Sequence, residues 1–489
     1  MTILRKSDWP ESPAESGIPL FSSRASLRRV IVVADADCLI ASEADSWSPE
    51  LVLSGLLTHD LVKLYRYADD GPPVEIPRQD YGHYRKATPG WVELCPEDEV
   101  GDDVRHVVYS DSETATVSAI IGNRAEIARA ENTVKAYKEL GEAAARERRA
   151  ADSQAAQVAE AVYADLFITN RPSLKETRIP YGVTTCTPRE ALALLGLYFR
   201  AQGLYITYRC IDGRGTYTMN KGLYYWVGTR ELLPAAWRWF GACAQHANGS
   251  GDQTLLHLGG SLLRRVQTAL QSRDELHAAI NLEQNNDTAQ EVLNCLDVIL
   301  VSLMGAIDVS ARVAHHALSL QSGIYTAAWQ KKSWLKEIEA KEGSLAATVG
   351  PNTSGRHIVT ILRLLRNSVH GEALSSLSVR NLGGPVETHM NLPQADSPEI
   401  LAAMDALGGR STWGAQEIIH GRWNVDPATL TERLFPQVIE LLNTLMGKTP
   451  VELLSHVSIT SQDTLPPPDP QGPFAERARE SIRWQLGLY

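Results

Sequence analysis

Residues 29–40, RVIVVADADCLI, set five apolar residues in unbroken succession, Val30 to Ala34, immediately before Asp35. A strand with one face in water alternates polar and apolar residues. This run does not, so it reads as a buried parallel strand whose C-terminal end delivers acidic side chains to a site. Parallel partners have to be reached by crossover connections, and the following residues supply candidates for them. Residues 48–66, SPELVLSGLLTHDLVKLYR, begin with Ser-Pro as a helix start and repeat apolar residues at three and four, which predicts a helix. From 70 to 103 Pro, Gly and Asp are dense and predict a loop, followed by a strand at VRHVVYS. The Ala/Glu/Arg-rich stretch 124–164 predicts broken helix, and ADLFITN, ending at Asn170, a second buried strand. The fold expected of this region is α/β, a parallel sheet flanked by helices.

Beyond Pro172 the pattern changes. Thr187, Pro188 and Glu190 form the signature of a capped helix. Residues 204–227 alternate aromatic and polar residues around DGRG and NKG, predicting a β-hairpin or small sheet. From about 229 to 450 the periodicity is helical, and PPPDPQGP precedes one last short amphipathic helix. A chain of 489 residues exceeds a single ordinary core. The expected organisation is a tail at 1–25, the α/β domain at 26–178, a helix-plus-hairpin connector at 179–235, a helical domain at 236–460, and a Pro-rich linker with a terminal helix at 461–489.

Several function classes lose support at this stage. The most apolar stretch, VLNCLDVILVSLMGAIDVSARVA, is interrupted by Asp297 and Asp308, so it is expected as a buried helix rather than a membrane span. Cysteines 38, 95, 186, 210, 243 and 295 contain no CxxC pair, giving no zinc ligand set and no disulfide framework and fitting a reducing cytoplasm. The net charge of −11 argues against a broadly basic surface for long nucleic-acid tracts, yet leaves room for a local basic groove.

The acids around the two buried strands carry a resemblance. VVADADCLI resembles the opening strand of PIN domains, a superfamily of metal-dependent ribonucleases, with Asp35 on the family's Asp and Asp37 on the small polar position that follows. DSQAAQVAEAVYADLFITNRPSL resembles a second PIN element, an acid at a helix start followed by a strand ending in Thr-Asn-Asp. Asp152 matches the helix acid, and Thr169, Asn170 and Leu174 fall on the rest. Arg171 stands where the family has its last Asp, and Asp60 is the occupant left for the second acid. The resemblance implies Mg²⁺ or Mn²⁺ held by Asp35, Asp152 and Asp37 or Asp60, activating water for hydrolysis of RNA. Thr169 and Asn170 would orient a water or a ligand carboxylate, and Arg171 would meet a substrate phosphate. Each residue also has an ordinary use, since Asp ends strands and caps helices.

In the helical half, GRHIVTILRLLRNSVHGEALS places Arg363, Arg366 and His370 along one helix. The segment resembles HEPN domains, helical bundles in which an Arg and a His near a helix end cleave RNA without metal. That resemblance implies a homodimer through the helical half. A helix C-terminus capped by His370 and Gly371 explains the same residues structurally. Fusion of the two units implies a toxin or defence role and leaves an antitoxin-like or other protein partner open. Three activities follow as expectations: metal-dependent endoribonuclease, non-catalytic RNA-binding or interaction protein on a degenerate PIN-like scaffold, and metal-independent cleavage in the helical half. Weaker candidates are His315-His316, the aromatic and basic residues of 205–240, and Arg146, Arg148 and Arg149 as RNA-steering charges.

Overall fold

The computed structural model describes residues 29–39, 47–76, 79–81, 84–94, 105–110, 115–121, 137, 139–176, 183–282, 284–367, 373–380, 386–468 and 471–488. The chain divides between Thr218 and Met219 into two compact units. That division falls inside the segment 179–235 expected as a connector. The expected tail at 1–25 lies outside the described residues.

The first unit is built on a parallel sheet of order β2-β1-β8-β9. Strand β1 is Val30–Asp35, followed by helix α1 (Pro49–Leu57) and β2 (Val62–Tyr67). Next come β3 (Gln79–Tyr81), β4 (Tyr84–Ala87), β5 (Val92–Leu94), β6 (Arg105–Ser110) and β7 (Ala115–Ile121). The unit continues with α2 (Glu142–Ala161), β8 (Leu166–Ile168), α3 (Pro172–Glu176), β9 (Thr184–Cys186), α4 (Pro188–Ala201), β10 (Ile206–Arg209) and β11 (Thr216–Thr218). Val32, Val33 and Ala34 have no exposed surface, so β1 is buried on both faces, as its continuous apolar run requires. One face packs Val33, Tyr65, Tyr67 and Phe167 against the small residues Ala155, Ala156, Val158 and Ala159 of α2. Gly55 lets α1 lie close on β10, because a Cβ there would fall 2.0 Å from the Arg209 carbonyl oxygen.

Two expectations for this unit are corrected. The helix predicted over 48–66 stops at Leu57, where Thr58 Oγ1 donates to the Gly55 carbonyl. Val62–Tyr67 then runs as a strand parallel to β1, from Val30↔Val62 to Asp35↔Tyr67. Buried Tyr65 and Tyr67 flank exposed Arg66 with a period of two, which competes with the helical spacing over so short a run. The loop predicted over 70–103 contains β3, β4 and β5. Strand β5 pairs antiparallel with β6, and β6 with β7, so the Gly and Pro residues mark turns between short strands.

The second unit is mostly helical. Helices α5 (Lys221–Leu232) and α6 (Ala235–Ser250) lead to the long pair α7 (Thr254–Ile280) and α8 (Asn286–Ala317). Then follow α9 (Lys332–Lys341), α10 (Ser354–Asn367), β12 (Ser376–Arg380), β13 (Val386–Asn391) and α11 (Ser397–Ala406). The last elements are β14 (Ala415–Ile419), β15 (Arg422–Val425), α12 (Pro427–Lys448) and α13 (Glu476–Gln485). Helix α8 holds the apolar stretch read from the sequence and is long and apolar enough to cross a membrane; 61% of its most apolar window is buried inside the structure. It serves as the core helix of the unit, packed on α7, α10 and α12.

Here too the structure corrects the sequence reading. Asn220 accepts a hydrogen bond from Leu223 N and caps α5, so NKG starts a helix and the predicted hairpin is confined to β10 and β11. Within the region read as helical, β12, β13, β15 and β14 form an antiparallel sheet in that order. The capping box at Thr187 and Glu190 and the terminal helix α13 are as expected.

Candidate functional site

Parallel register brings the C-terminal ends of β1, β2 and β8 to one edge of the first sheet. Ala34 pairs with Ile168 and Asp35 with Tyr67, so Asp35, Asp69 and residues 169–171 emerge side by side. Pro172 begins α3 and disfavours helical backbone at the residue before it. The chain therefore turns at Arg171, whose N–H donates to Thr169 Oγ1 at 3.0 Å. The same hydroxyl donates to Asp35 Oδ2 at 2.5 Å.

The Arg171 side chain turns inward, with 14% of its surface exposed. Its Nε and Nη2 reach Asp35 Oδ2 and Oδ1 at 2.9 and 3.0 Å. Nη2 and Nη1 also reach Asp69 Oδ1 and Oδ2 at 2.9 and 3.2 Å. Nη1 completes the set with Asp152 Oδ1 at 3.5 Å. A guanidinium has five N–H donors, and all five are directed at carboxylate oxygens of three acids. Tyr67 covers the group, its ring centroid 5.7 Å from Arg171 Cζ. Asp152, buried in α2, takes further hydrogen bonds at Oδ2 from Tyr137 Oη at 2.6 Å and from Ser173 Oγ.

These contacts decide the electrostatics. Burial pushes the Asp35 carboxyl above its ordinary range, while Arg171 and Thr169 pull it back. Burial works against the Arg171 cation, yet the hydrogen bonds and charges of Asp35 and Asp69 more than offset this and raise its pKa. The guanidinium is a permanently charged cation at the point where the carboxylates converge.

The implied Mg²⁺ or Mn²⁺ does not fit this arrangement. Such an ion needs carboxylate oxygens at roughly 2.0–2.6 Å, and the oxygens of Asp35 and Asp152 are turned instead to Arg171, Thr169, Tyr137 and Ser173. A second grouping, Asp35, Asp37 and Cys38, sets one ligand atom of each within 4.8 Å of the others. It shares Asp35 with the guanidinium. Burial, followed by the charges of Asp37 and Asp35, pushes the Cys38 thiol up to about 12, and sulfur is a soft ligand ill-suited to hard cations such as Mg²⁺.

The sequence-derived candidates sort as follows. Asp35, Asp152 and Thr169 meet around Arg171. Asp37 is exposed beside them, and Asn170 reaches Cys38 Sγ at 3.5 Å. Asp60 lies in the turn before β2, at the opposite edge of the sheet and roughly 20 Å away by strand rise. It is not part of the cluster. Asp69, Tyr137 and Ser173 were not anticipated. Asp69 carries a usable signal, an acid just beyond an alternating strand, which the helical reading of 48–66 hid.

In the second unit Arg363 pairs with Glu399 at 3.5 Å and Arg366 with Asp308 at 3.9 Å. His370 lies outside the described residues. His315 is buried and accepts from Trp334 Nε1 at 3.3 Å, a packing role. Arg230 stacks on Trp237 at 3.5 Å and Trp239 is fully buried, so these aromatic and basic residues form core and rim. Arg146 pairs with Glu142 on the exposed face of α2. All five described cysteines are free. Comparison with protein families, with curated proteins and with solved structures gave no match.

Proposed function

We propose that the first unit is a degenerate PIN-like scaffold and that the protein acts by binding, with RNA as its ligand class, rather than by metal-dependent hydrolysis. The observation that carries the loss of metal chemistry is the full engagement of the Arg171 guanidinium by Asp35, Asp69 and Asp152, and RNA as the ligand class rests on the PIN resemblance. A divalent ion promotes hydrolysis by coordinating water and lowering its pKa. A guanidinium neutralises charge but has no coordination position to offer, and it does not lose a proton to act as a base. The cluster thus keeps the acids that the PIN resemblance singles out and gives them a structural task, joining the ends of β1 and β8, the residues after β2, and α2.

A mixed RNA pool incubated with the purified protein, in Mg²⁺ or Mn²⁺ and in EDTA, tests this. The expected result is retained RNA with measurable binding in all conditions. Metal-dependent cleavage that disappears in Asp35→Asn and Asp152→Asn would overturn the proposal and restore the nuclease reading. EDTA-resistant cleavage abolished by His370→Ala would move the activity to the second unit.

A further inference from the structure

We propose that the paired helices α7 and α8 of the second unit form a binding site for a small phosphate-bearing anion, independent of the Arg171 cluster. His257, Ser261, Arg264, Arg265 and Thr268 of α7, with Ser302 of α8, line a cleft of about 380 Å³. Their spacing of four, three or four, and three or four residues puts them on one helix face. No carboxylate is among these lining residues. Two guanidiniums, an imidazole and hydroxyl groups therefore line the cleft, and among the described residues no acid lines it with them.

Arg265 is held in place by an unusual neighbour. Its guanidinium lies against Gly305 of α8, where a Cβ would come within 2.3 Å of Nη1 and 2.7 Å of Cζ. Any side chain at 305 would lift the guanidinium off α8. Arg265 Nε is buried against α8 with no hydrogen-bond partner among the described residues, so an anion in the cleft has to meet this arginine through its Nη groups. Asp308 acts through charge on Arg265 and also on Arg366 and Arg312. Planar forks of N–H donors suit phosphate oxygens, and a dianion matches the two guanidiniums at the cleft.

The test is titration of the full-length chain with inorganic phosphate and, separately, with adenosine monophosphate, at ionic strength matched with sodium chloride. Binding is read by calorimetry and by the thermal midpoint. A saturable response to phosphate is expected, weakened about tenfold or more in Arg265→Gln and in Arg264→Gln. Arg264 is exposed, so its variant keeps the test open if loss of Arg265 unfolds the chain. Gly305→Ala keeps both charges but displaces Arg265, and it should weaken binding as Arg265→Gln does. Equal affinity for both ligands assigns recognition to the phosphoryl group alone, and tighter binding of the monophosphate assigns a nucleotide. The proposal is overturned by the absence of a saturable response beyond the chloride control, or by one that Arg264→Gln and Arg265→Gln leave unchanged.

Discussion

The two units each contain a partly buried charge cluster, and the clusters are inverted. In the first, one guanidinium, Arg171, faces Asp35, Asp69 and Asp152. In the second, one carboxylate, Glu432, takes two hydrogen bonds at 2.7 Å from Arg273 and one at 2.7 Å from His277. Arg273 also donates to the Leu486 carbonyl at 2.9 Å, fastening the end of α13 to α7. Negative charge is in excess around Arg171, whereas Glu432 is outnumbered by donors. The difference appears in the acids. Burial raises Asp35 despite its partner. Burial pushes Glu432 the same way, but His277 and Arg273 hold it at about 2. The number and geometry of the partners decide the outcome.

The largest expected effect comes from removing the cation of the first cluster. Arg171→Ala leaves three carboxylates facing one another and should cost about 3–5 kcal/mol in denaturant unfolding at neutral pH. A loss below about 1 kcal/mol would mean that the cluster is not a structural lock. Glu432→Gln should cost less, about 1–2 kcal/mol after allowing for solvent screening, because 42% of that side chain is exposed.

The smallest effect distinguishes the clusters by sign. A carboxyl lowered on folding contributes stability above its unfolded value, lost as pH falls through the folded one. For Glu432 that window runs from 4.5 down to about 2, and across it the gap between wild type and Glu432→Gln should narrow. A carboxyl raised on folding behaves oppositely. The contribution of Asp35 is fully present below 3.8 and lost as pH rises through its raised value. The gap between wild type and Asp35→Asn should therefore widen on mild acidification. Stability profiles of the two variants that drift in the same direction would break the comparison.

Much of the first site was legible in the sequence because a buried strand ending in an acid leaves few structural options. Asp35 and Thr169 follow from strand ends and Arg171 stands as a cation in an acid's place, but Asp152, expected at a helix start, lies in the interior of α2, which begins ten residues earlier at Glu142. The inward course of the Arg171 side chain depends on the turn that Pro172 imposes locally and on the register of β1 with β8, which is not encoded locally. Asp69 was hidden by one misread element, since LVKLY satisfies helical and strand periods alike over five residues. Tyr137 and Ser173 reach Asp152 from positions that carry no periodic signal. In the second unit the long helices followed from apolar spacing. The sheet of β12 to β15 did not, because its strands are short and β13 meets β15 only across the intervening α11.

The central claim is that a guanidinium occupies the place where a divalent ion would have to sit. Titration of Mn²⁺ into wild type and into Arg171→Ala, followed by calorimetry and thermal midpoint, addresses it directly. Wild type should show no saturable Mn²⁺ binding at this cluster, and Arg171→Ala should gain a site with a rise in midpoint. Saturable Mn²⁺ binding to wild type that is lost in Asp35→Asn would contradict the account.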